Sequence, residues 1–347
     1  MVVRSRAWRA LLILLGTTTA LGDSISDAVG QETTPYFQGK QIRLYVGSAP
    51  GGGYDAFARV IAVHLPRHIS GQPNIIVQNM PGAGSLVLAN HIYNLGAKDG
   101  TDIGAVNPQI STDPMFHPDR VKFDPRKFNW IGSALRENHV GVAWHTTQFS
   151  TFDDAYKTEL VVAGSGGSTD TYPTFTNGLL GTRFKVVSGY KGTKEGMLAM
   201  ERGEVTGNVG ITWASLKATS GDWVGTSQVR VFVQFGLTKH PELPDVPWIY
   251  DYARNDDDRS AMDLVFASQE FGRPYIAPPG VPAPVVTILR KAFDDTMSDP
   301  EFQTETARRK LDLEPVSGAD IQAIMEKIYQ APPAVIERVK KILDNKA

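Results

Sequence analysis

The chain has 347 residues, 41% hydrophobic and 21% charged, with a formal net charge of -2. These values are ordinary for a soluble globular protein, and the length is sufficient for two domains. The charge balance and the lack of a long Lys/Arg block argue against nucleic-acid binding. Cysteine is absent, which excludes disulfides, thiolate metal sites and a cysteine nucleophile.

The N-terminus has the pattern of an export signal. Three arginines, Arg4, Arg6 and Arg9, precede an apolar stretch at residues 10–15 that fades by Leu21. A membrane span needs about 20 apolar residues, so this stretch is too short. Residues 1–30 are therefore predicted to be a secretory signal peptide, which predicts a periplasmic location. Small residues allow cleavage after either Gly22 or Gly30, and an uncleaved anchor is the alternative.

Strands and helices alternate through the first third of the chain. Apolar patterns predict strands at residues 42–46, 75–77 and 102–106. Helices are predicted after the first two strands, at residues 57–65 and 86–93, each preceded by a glycine-containing loop. This strand–loop–helix alternation predicts a mainly parallel sheet covered by helices.

Strands and helices are also predicted through the rest of the chain, to its C-terminus. Further strands are predicted at residues 140–144, 160–163, 184–187, 205–209 and 229–235. Thr193 is the predicted N-cap of the next helix, and Asp299 that of a later one, with Pro300 at its first position. Ser317 and Asp320 resemble a capping box. The acidic run at residues 256–258 is predicted to be a solvated loop rather than a metal site.

Sequence motifs for catalysis are missing. There is no G-x-S-x-G elbow, phosphate-binding loop or H-E-x-x-H pair. His64 and His68 are four residues apart, but Pro66 disfavours a shared helical face. His139 and His145 flank a strand with even spacing and are expected at the surface or lining a cleft. We therefore predict no catalytic residue, no cofactor and no metal site.

Three glycine-containing loops each lie between a predicted strand and a predicted helix, at residues 47–55, 164–169 and 188–193. Backbone N–H groups at a helix start lack partners, and the helix dipole favours an anion there. A tight structural turn is the alternative for any single loop. Because the carboxyl ends of strands meet at one edge of a sheet, the three loops together predict a ligand crevice.

The order and spacing of several short motifs carry a family resemblance. They are found at residues 50–55 (PGGGYD), 79–84 (NMPGAG), 99–100 (DG), 190–192 (YKG), 243–247 (LPDVP) and 277–282 (APPGVP), with Asp299-Pro300 and Ser317-Gly318 after them. From near Phe37 to its C-terminus the chain resembles the substrate-binding proteins of tripartite tricarboxylate transporters, the Bug receptors. The resemblance implies a type II periplasmic-binding-protein fold, with two α/β lobes and a ligand cleft between them. Lobe 1 would comprise residues 36–138 and 269–347, and lobe 2 residues 139–268.

The resemblance also implies a function. Such a protein captures a small carboxylate and delivers it to the permease subunits of its membrane transporter, and it is not an enzyme. Backbone amides of the glycine-containing loops would hold the carboxylate. The expected ligand-binding residues are Pro50, Gly51, Gly52, Gly53, Tyr54, Asp55, Asn107, Ser165, Gly166, Gly167, Ser168, Thr169, Tyr190, Lys191, Gly192 and Trp213.

Two departures from the family pattern bear on the ligand. Tyr54 stands where a small residue is more usual, and residues 211–213 (ITW) replace a stretch in which many relatives carry an Asp. Aromatic residues near the cleft would favour an aromatic carboxylate, or they would pack internally. The alternative functions are a ligand-sensing receptor for a signalling partner and an exported α/β hydrolase.

Overall fold

The computed structural model describes residues 34–344. The predicted signal peptide and both cleavage sites lie outside the described residues. Within residues 34–344, no helix is both long and apolar enough to cross a membrane.

Eleven strands within the described residues form two mixed sheets. The six-stranded sheet has the order β11-β4-β10-β3-β1-β2 and the five-stranded sheet the order β7-β6-β8-β5-β9. The strands are β1 (Gln41–Val46), β2 (Asn74–Asn79), β3 (Asp102–Ala105), β4 (Asn129–Ser133), β5 (His139–Trp144), β6 (Leu160–Gly164), β7 (Phe184–Ser188), β8 (Gly207–Thr212), β9 (Val229–Phe235), β10 (Pro274–Ala277) and β11 (Val316–Ser317).

The helices connect these strands and cover the sheets, with short 3-10 turns between them. In chain order they are α1 (Gly53–His64), α2 (Leu86–Leu95), α3 (Asp113–Phe116), α4 (Ser168–Leu180), α5 (Thr193–Glu201), α6 (Trp213–Gly225), α7 (Asp256–Phe266), α8 (Ala283–Ser298), α9 (Pro300–Arg308), α10 (Gly318–Ile328) and α11 (Pro333–Asp344). Buried apolar residues form a core around each sheet, and the largest core cluster takes residues from both, such as Trp130 and Phe232.

Each sheet contains one set of three parallel strands. In the six-stranded sheet, β1 lies between β2 and β3 and is parallel to both. In the five-stranded sheet, β6 lies between β7 and β8 and is parallel to both. Parallel strands need crossover connections, which helices such as α1 and α4 supply. The carboxyl ends of each triplet therefore lie at one edge of its sheet.

The parallel arrangement predicted from the first three strands is confirmed for β1, β2 and β3, but each sheet as a whole is mixed. Strand β10 pairs antiparallel with β3 and β4, β11 pairs antiparallel with β4, and β5 pairs antiparallel with β8 and β9. Strands β5 and β10 are the first strands after the chain passes from one sheet to the other, whereas β11 follows α9 and joins the same sheet as β10. The local apolar pattern does not report the direction of a strand.

Several predictions of local structure were confirmed, and three were wrong. Asp299 caps α9 by accepting from the Glu301 backbone N–H, and Ser317 caps α10 by accepting from Asp320 N. Thr193 is not an N-cap, because Gly192 precedes the first residue of α5 with no side-chain cap bond. Residues 256–258 form the first turn of α7, not a loop, and Asp258 is fully buried. His139 is fully buried against the Tyr172 ring, neither at the surface nor in the cleft lining.

Candidate ligand-binding cleft

Loops from both sheets meet around one small cavity. They follow the carboxyl ends of β1, β2 and β3 in one sheet and of β6, β7 and β8 in the other. The cavity has a volume of about 40 Å³, room for only a few water molecules. Its lining consists of Gly47, Ser48, Tyr54, Gly82, Gly84, Ser85, Asn107, Ser165, Gly166, Ser168, Thr169, Lys191, Gly192, Thr193, Gly210, Ile211, Thr212 and Ser215.

Glycine backbones bring the two sides into direct contact. Gly84, in the loop after β2, and Gly166, in the loop after β6, have φ values of 61° and 84°. A Cβ atom added at Gly166 would overlap Gly84 N, and one added at Gly84 would overlap Gly167 N. The Ala49 N–H also donates to the Lys191 carbonyl across the cleft, at 3.3 Å. The structure is therefore closed, and the closure depends on the absence of side chains at these glycines.

The cavity presents hydrogen-bonding groups with little formal charge. Glycine, serine and threonine dominate the lining, and Lys191 is the one charged residue among them. Ser48 Oγ and Tyr54 Oη are buried and have no hydrogen-bond partner among the described residues. Buried polar atoms normally have partners, so these two atoms mark a place for a polar ligand or for water.

The structure brings half of the predicted binding residues to the cavity. Those in the lining are Tyr54, Asn107, Ser165, Gly166, Ser168, Thr169, Lys191 and Gly192. Those outside the lining are Pro50, Gly51, Gly52, Gly53, Asp55, Gly167, Tyr190 and Trp213. Gly167 lies immediately behind the lining, since a Cβ there would lie 2.8 Å from Asn107 Nδ2.

Asp55 supports the first loop from within. Its carboxylate accepts hydrogen bonds of 2.8 Å from Gly51 N, Arg59 Nε and Asn79 Nδ2. Burial raises the pKa of Asp55, but these donors outweigh burial and hold it below its usual value. The side chain thus fixes the path of residues 51–55, and both of its carboxylate oxygens accept hydrogen bonds from protein groups.

Trp213 belongs to the core beside the cleft. Its indole Nε1 donates to Glu242 Oε2 at 2.6 Å, and the side chain packs with the apolar cluster under α5 and α6. Its neighbours Thr212 and Ser215 reach the cavity instead. Thr212 is the N-cap of α6 and accepts from Ser215 N at 3.1 Å. A threonine at the end of a buried strand was therefore the available signal for this part of the site.

The described residues contain no group of three metal-ligating side chains. His64 Nε2 lies 2.7 Å from Glu305 Oε2, and His68 Nε2 lies 3.0 Å from Asp299 Oδ2. Each histidine therefore has a carboxylate partner on α9 or its cap, as part of the packing of α1 against α9.

Larger grooves exist elsewhere on the molecule. One of about 620 Å³ is lined by residues of α4 and β7 together with Arg120 and Asp344, and one of about 400 Å³ follows the crossover segments at residues 135–138, 237–242 and 269–270. Neither lining includes a glycine of the three predicted loops. The smaller cavity is the candidate ligand site, because the strand ends of both sheets converge there.

Comparison with known proteins identifies the family. The family model "Tripartite tricarboxylate transporter family receptor" matches residues 57–343. None of the curated protein sequences matches this chain.

Solved structures with the same fold include the periplasmic binding protein BugD (22% identity, TM-score 0.69, covering 88% of this chain and 98% of that one). They also include MatC from Rhodopseudomonas palustris with bound malate (17%, 0.67, 88% and 100%) and an R. palustris protein with adipate (18%, 0.69, 88% and 98%). These likenesses confirm the predicted periplasmic-binding-protein fold with two lobes. With the family match over residues 57–343, this chain belongs to the tripartite tricarboxylate transporter receptor family.

Proposed function

We propose that this protein is an extracytoplasmic solute-binding protein that captures a small carboxylate and delivers it to the membrane permease subunits of a tripartite tricarboxylate-type transporter. The observation that carries the proposal is the cavity of glycine backbones and hydroxyls formed by loops from both sheets. Membership of a receptor family supports it, as do relatives of the same fold that are bound to malate and adipate.

The chemistry of the lining suits a carboxylate. Helices α4 and α5 both begin at the cavity, at Ser168 and Thr193, where backbone N–H groups lack intrahelical partners. Such groups and hydroxyls bind an anion without a formal positive charge. A lining without histidine, aspartate or glutamate offers no ordinary base to activate a serine, which argues against the hydrolase alternative.

Binding would require the lobes to separate. A cavity of about 40 Å³ is far below the 300–1,000 Å³ typical of small-molecule pockets. The ligand would enter between the Gly84 and Gly166 loops in an open form and be enclosed by hinge closure. We propose lobe bounds at residues 36–138 with 269–347, and 139–268, and the division of strands between the sheets supports them. Export to the periplasm through residues 1–30 belongs to the same proposal.

A thermal-shift screen tests this function. The mature protein would be heated with acetate, malate, adipate, citrate and benzoate, and each sample would be analysed for turnover. A ligand at 100 times its Kd adds about 2.7 kcal/mol to the free energy of unfolding. We expect at least one acid to raise Tm without being consumed. No stabilisation by any acid, or chemical conversion of one, would contradict the proposal.

A further inference from the structure

A buried arginine lies directly behind three side chains of the cavity lining. Arg273, just before β10, has a side chain that is 1% exposed. Its Cζ lies 4.0 Å from the centroid of the Tyr54 ring, and its Nη2 donates to Thr212 Oγ1 at 3.0 Å and to Ser215 Oγ at 2.8 Å. Tyr54, Thr212 and Ser215 all line the cavity. Only these side chains therefore separate the positively charged Arg273 guanidinium from the cavity.

Arg273 also determines what Ser215 can offer to a ligand. A guanidinium only donates hydrogen bonds, whereas a hydroxyl both donates and accepts. Because Ser215 Oγ accepts from Arg273, its own hydrogen remains available for an acceptor in the cavity. Arg273 Nε and Nη1 have no hydrogen-bond partner among the described residues, so the hydrogen bonds of the guanidinium are made by Nη2.

The counter-charge of Arg273 is Glu137, which does not line the cavity. Its Oε1 accepts from Arg273 Nη2 at 2.8 Å, its side chain is 1% exposed, and its Oε2 has no partner among the described residues. Burial raises the pKa of Glu137 to about 7, although the positive charge of Arg273 lowers it. In its ionised form the carboxylate neutralises Arg273, and its protonation on acidification leaves the arginine charge uncompensated.

Two other titratable groups near the Glu137–Arg273 pair do not change their charge between pH 6 and 8. Burial lowers the pKa of His139 to about 3 and raises that of Tyr54, so both are neutral at pH 6 to 8. Glu137 also contributes to the groove of about 400 Å³ along the crossover segments. The charged and titratable groups in that groove are Arg136, Lys239, His240, Glu242, Glu270, Asp312 and Glu314.

We propose that Arg273 is a positioning residue that makes the cleft selective for anions, acting through Tyr54, Thr212 and Ser215, with Glu137 as the counter-charge that weakens this effect. The inference rests on the proposed function, because it takes the ligand to be a carboxylate. It adds a source of charge selectivity that lies outside the glycine loops.

The substitution Glu137→Gln separates this role from a purely structural one. Removing the counter-charge should tighten carboxylate binding, whereas loss of a structural partner should weaken it. Calorimetry at pH 8 would compare each acid of the panel with its amide: acetamide, malamide, adipamide, citramide and benzamide. For every acid that binds the unaltered protein, we expect an affinity gain on the order of tenfold in the variant, with no gain for the amide.

Glu270→Gln is the matched control. Glu270 is also an acidic residue of the crossover segments, but it pairs with Arg136 rather than with Arg273. Its substitution should leave the affinities for acids and amides unchanged. An equal gain in both variants would mean that overall charge, not the Arg273 pair, sets the affinity, and would overturn the proposal.

The pH dependence of the unaltered protein gives a second test that does not depend on folding of the variant. Acid affinity should fall from pH 6 to pH 8 as Glu137 ionises, while amide affinity stays constant. A flat profile for the acids, or weaker acid binding by a folded Glu137→Gln protein, would overturn the role of Arg273 and leave the proposed function intact. Failure of all five acids to bind the unaltered protein would overturn both.

Discussion

Gly166 and Gly52 are both glycines of the predicted binding loops, but the structure gives them different roles. Gly166 has φ 84° and its backbone touches Gly84, whereas Gly52 has φ -84° and an added Cβ would lie 3.7 Å from Ala49 O. Gly166→Val should therefore prevent closure and weaken carboxylate binding by roughly ten- to hundredfold or more. Gly52→Val, the control, should have little effect.

Calorimetry on both variants, with circular dichroism to verify folding, would check this difference. Equal losses in the two would indicate that strain anywhere in the loops, rather than contact between the lobes, disrupts the site.

Lys191 contributes mainly through its backbone. Its carbonyl accepts from Ala49 N, its N–H donates to Glu195 Oε2 at 2.7 Å, and the residue is exposed. An exposed ion pair contributes little free energy, so Lys191→Ala should reduce carboxylate affinity by about fivefold or less. Calorimetric titration measures the change directly. Complete loss of binding by the folded variant would identify a lysine–carboxylate salt bridge as the main interaction.

The residues of the site that sequence could predict are those adjacent to glycine at strand ends. Ser165, Gly166 and Thr169 follow a strand directly, and their position at the start of α4 is a local property. Ser215 and Arg273 could not be predicted in this way. They are 58 residues apart, and their contact depends on how the crossover segments bring the two sheets together.

At the scale of elements, Asp258 is a buried residue that connects two helices, although it belongs to an acidic run that is otherwise exposed. Asp256 and Asp257 are exposed in the first turn of α7, while Asp258 is fully buried and accepts from Arg254 and from Arg338 of α11. These donors outweigh burial and lower the pKa of Asp258 to about 2. The residue therefore joins α7 to α11.

Asp258→Ala should lower the free energy of unfolding by about 2 kcal/mol, because it removes the charge-assisted hydrogen bonds that the carboxylate accepts from Arg254 and Arg338. Asp257→Ala, the matched control, should change it by less than about 0.5 kcal/mol. Because the folded pKa of Asp258 is depressed, its contribution is complete above pH 4 and decreases as the pH falls towards 2. Urea unfolding at pH 7 and pH 3 would measure both effects, and equal stabilities of the two variants at pH 7 would contradict the anchoring role.

Elements were predictable where burial alternates or where turn residues frame a strand. The ends of β1, β6 and β9 agree with the predictions to within a residue or so. Strands β4 (NWIGS) and β10 (PYIA) were not predicted, because Asn, Gly, Ser and Pro, which are typical of turns, interrupt or border their few apolar residues. The expected position of His139 is wrong because β5 lies between β8 and β9 and is buried on both faces, so even spacing does not mark an exposed side.

At the scale of the whole molecule, the closed cleft predicts a conformational change. A cavity of about 40 Å³ cannot admit an organic acid, so the protein must open to load and close to retain its ligand. Small-angle X-ray scattering should give a larger radius of gyration without ligand than with a saturating acid. The Gly166→Val protein should keep the larger value in both conditions. A radius that is unchanged by ligand, and equal to that of the variant, would contradict hinge closure.

The most direct test of carboxylate binding in the cleft is a calorimetric titration of the mature protein with acetate, malate, adipate, citrate and benzoate. The cleft formed by both lobes provides one site, so at least one acid should bind with a one-to-one stoichiometry, and Gly166→Val should remove most of that affinity. Binding of none of the acids, or binding that Gly166→Val leaves unchanged, would show that the cleft is not a carboxylate site.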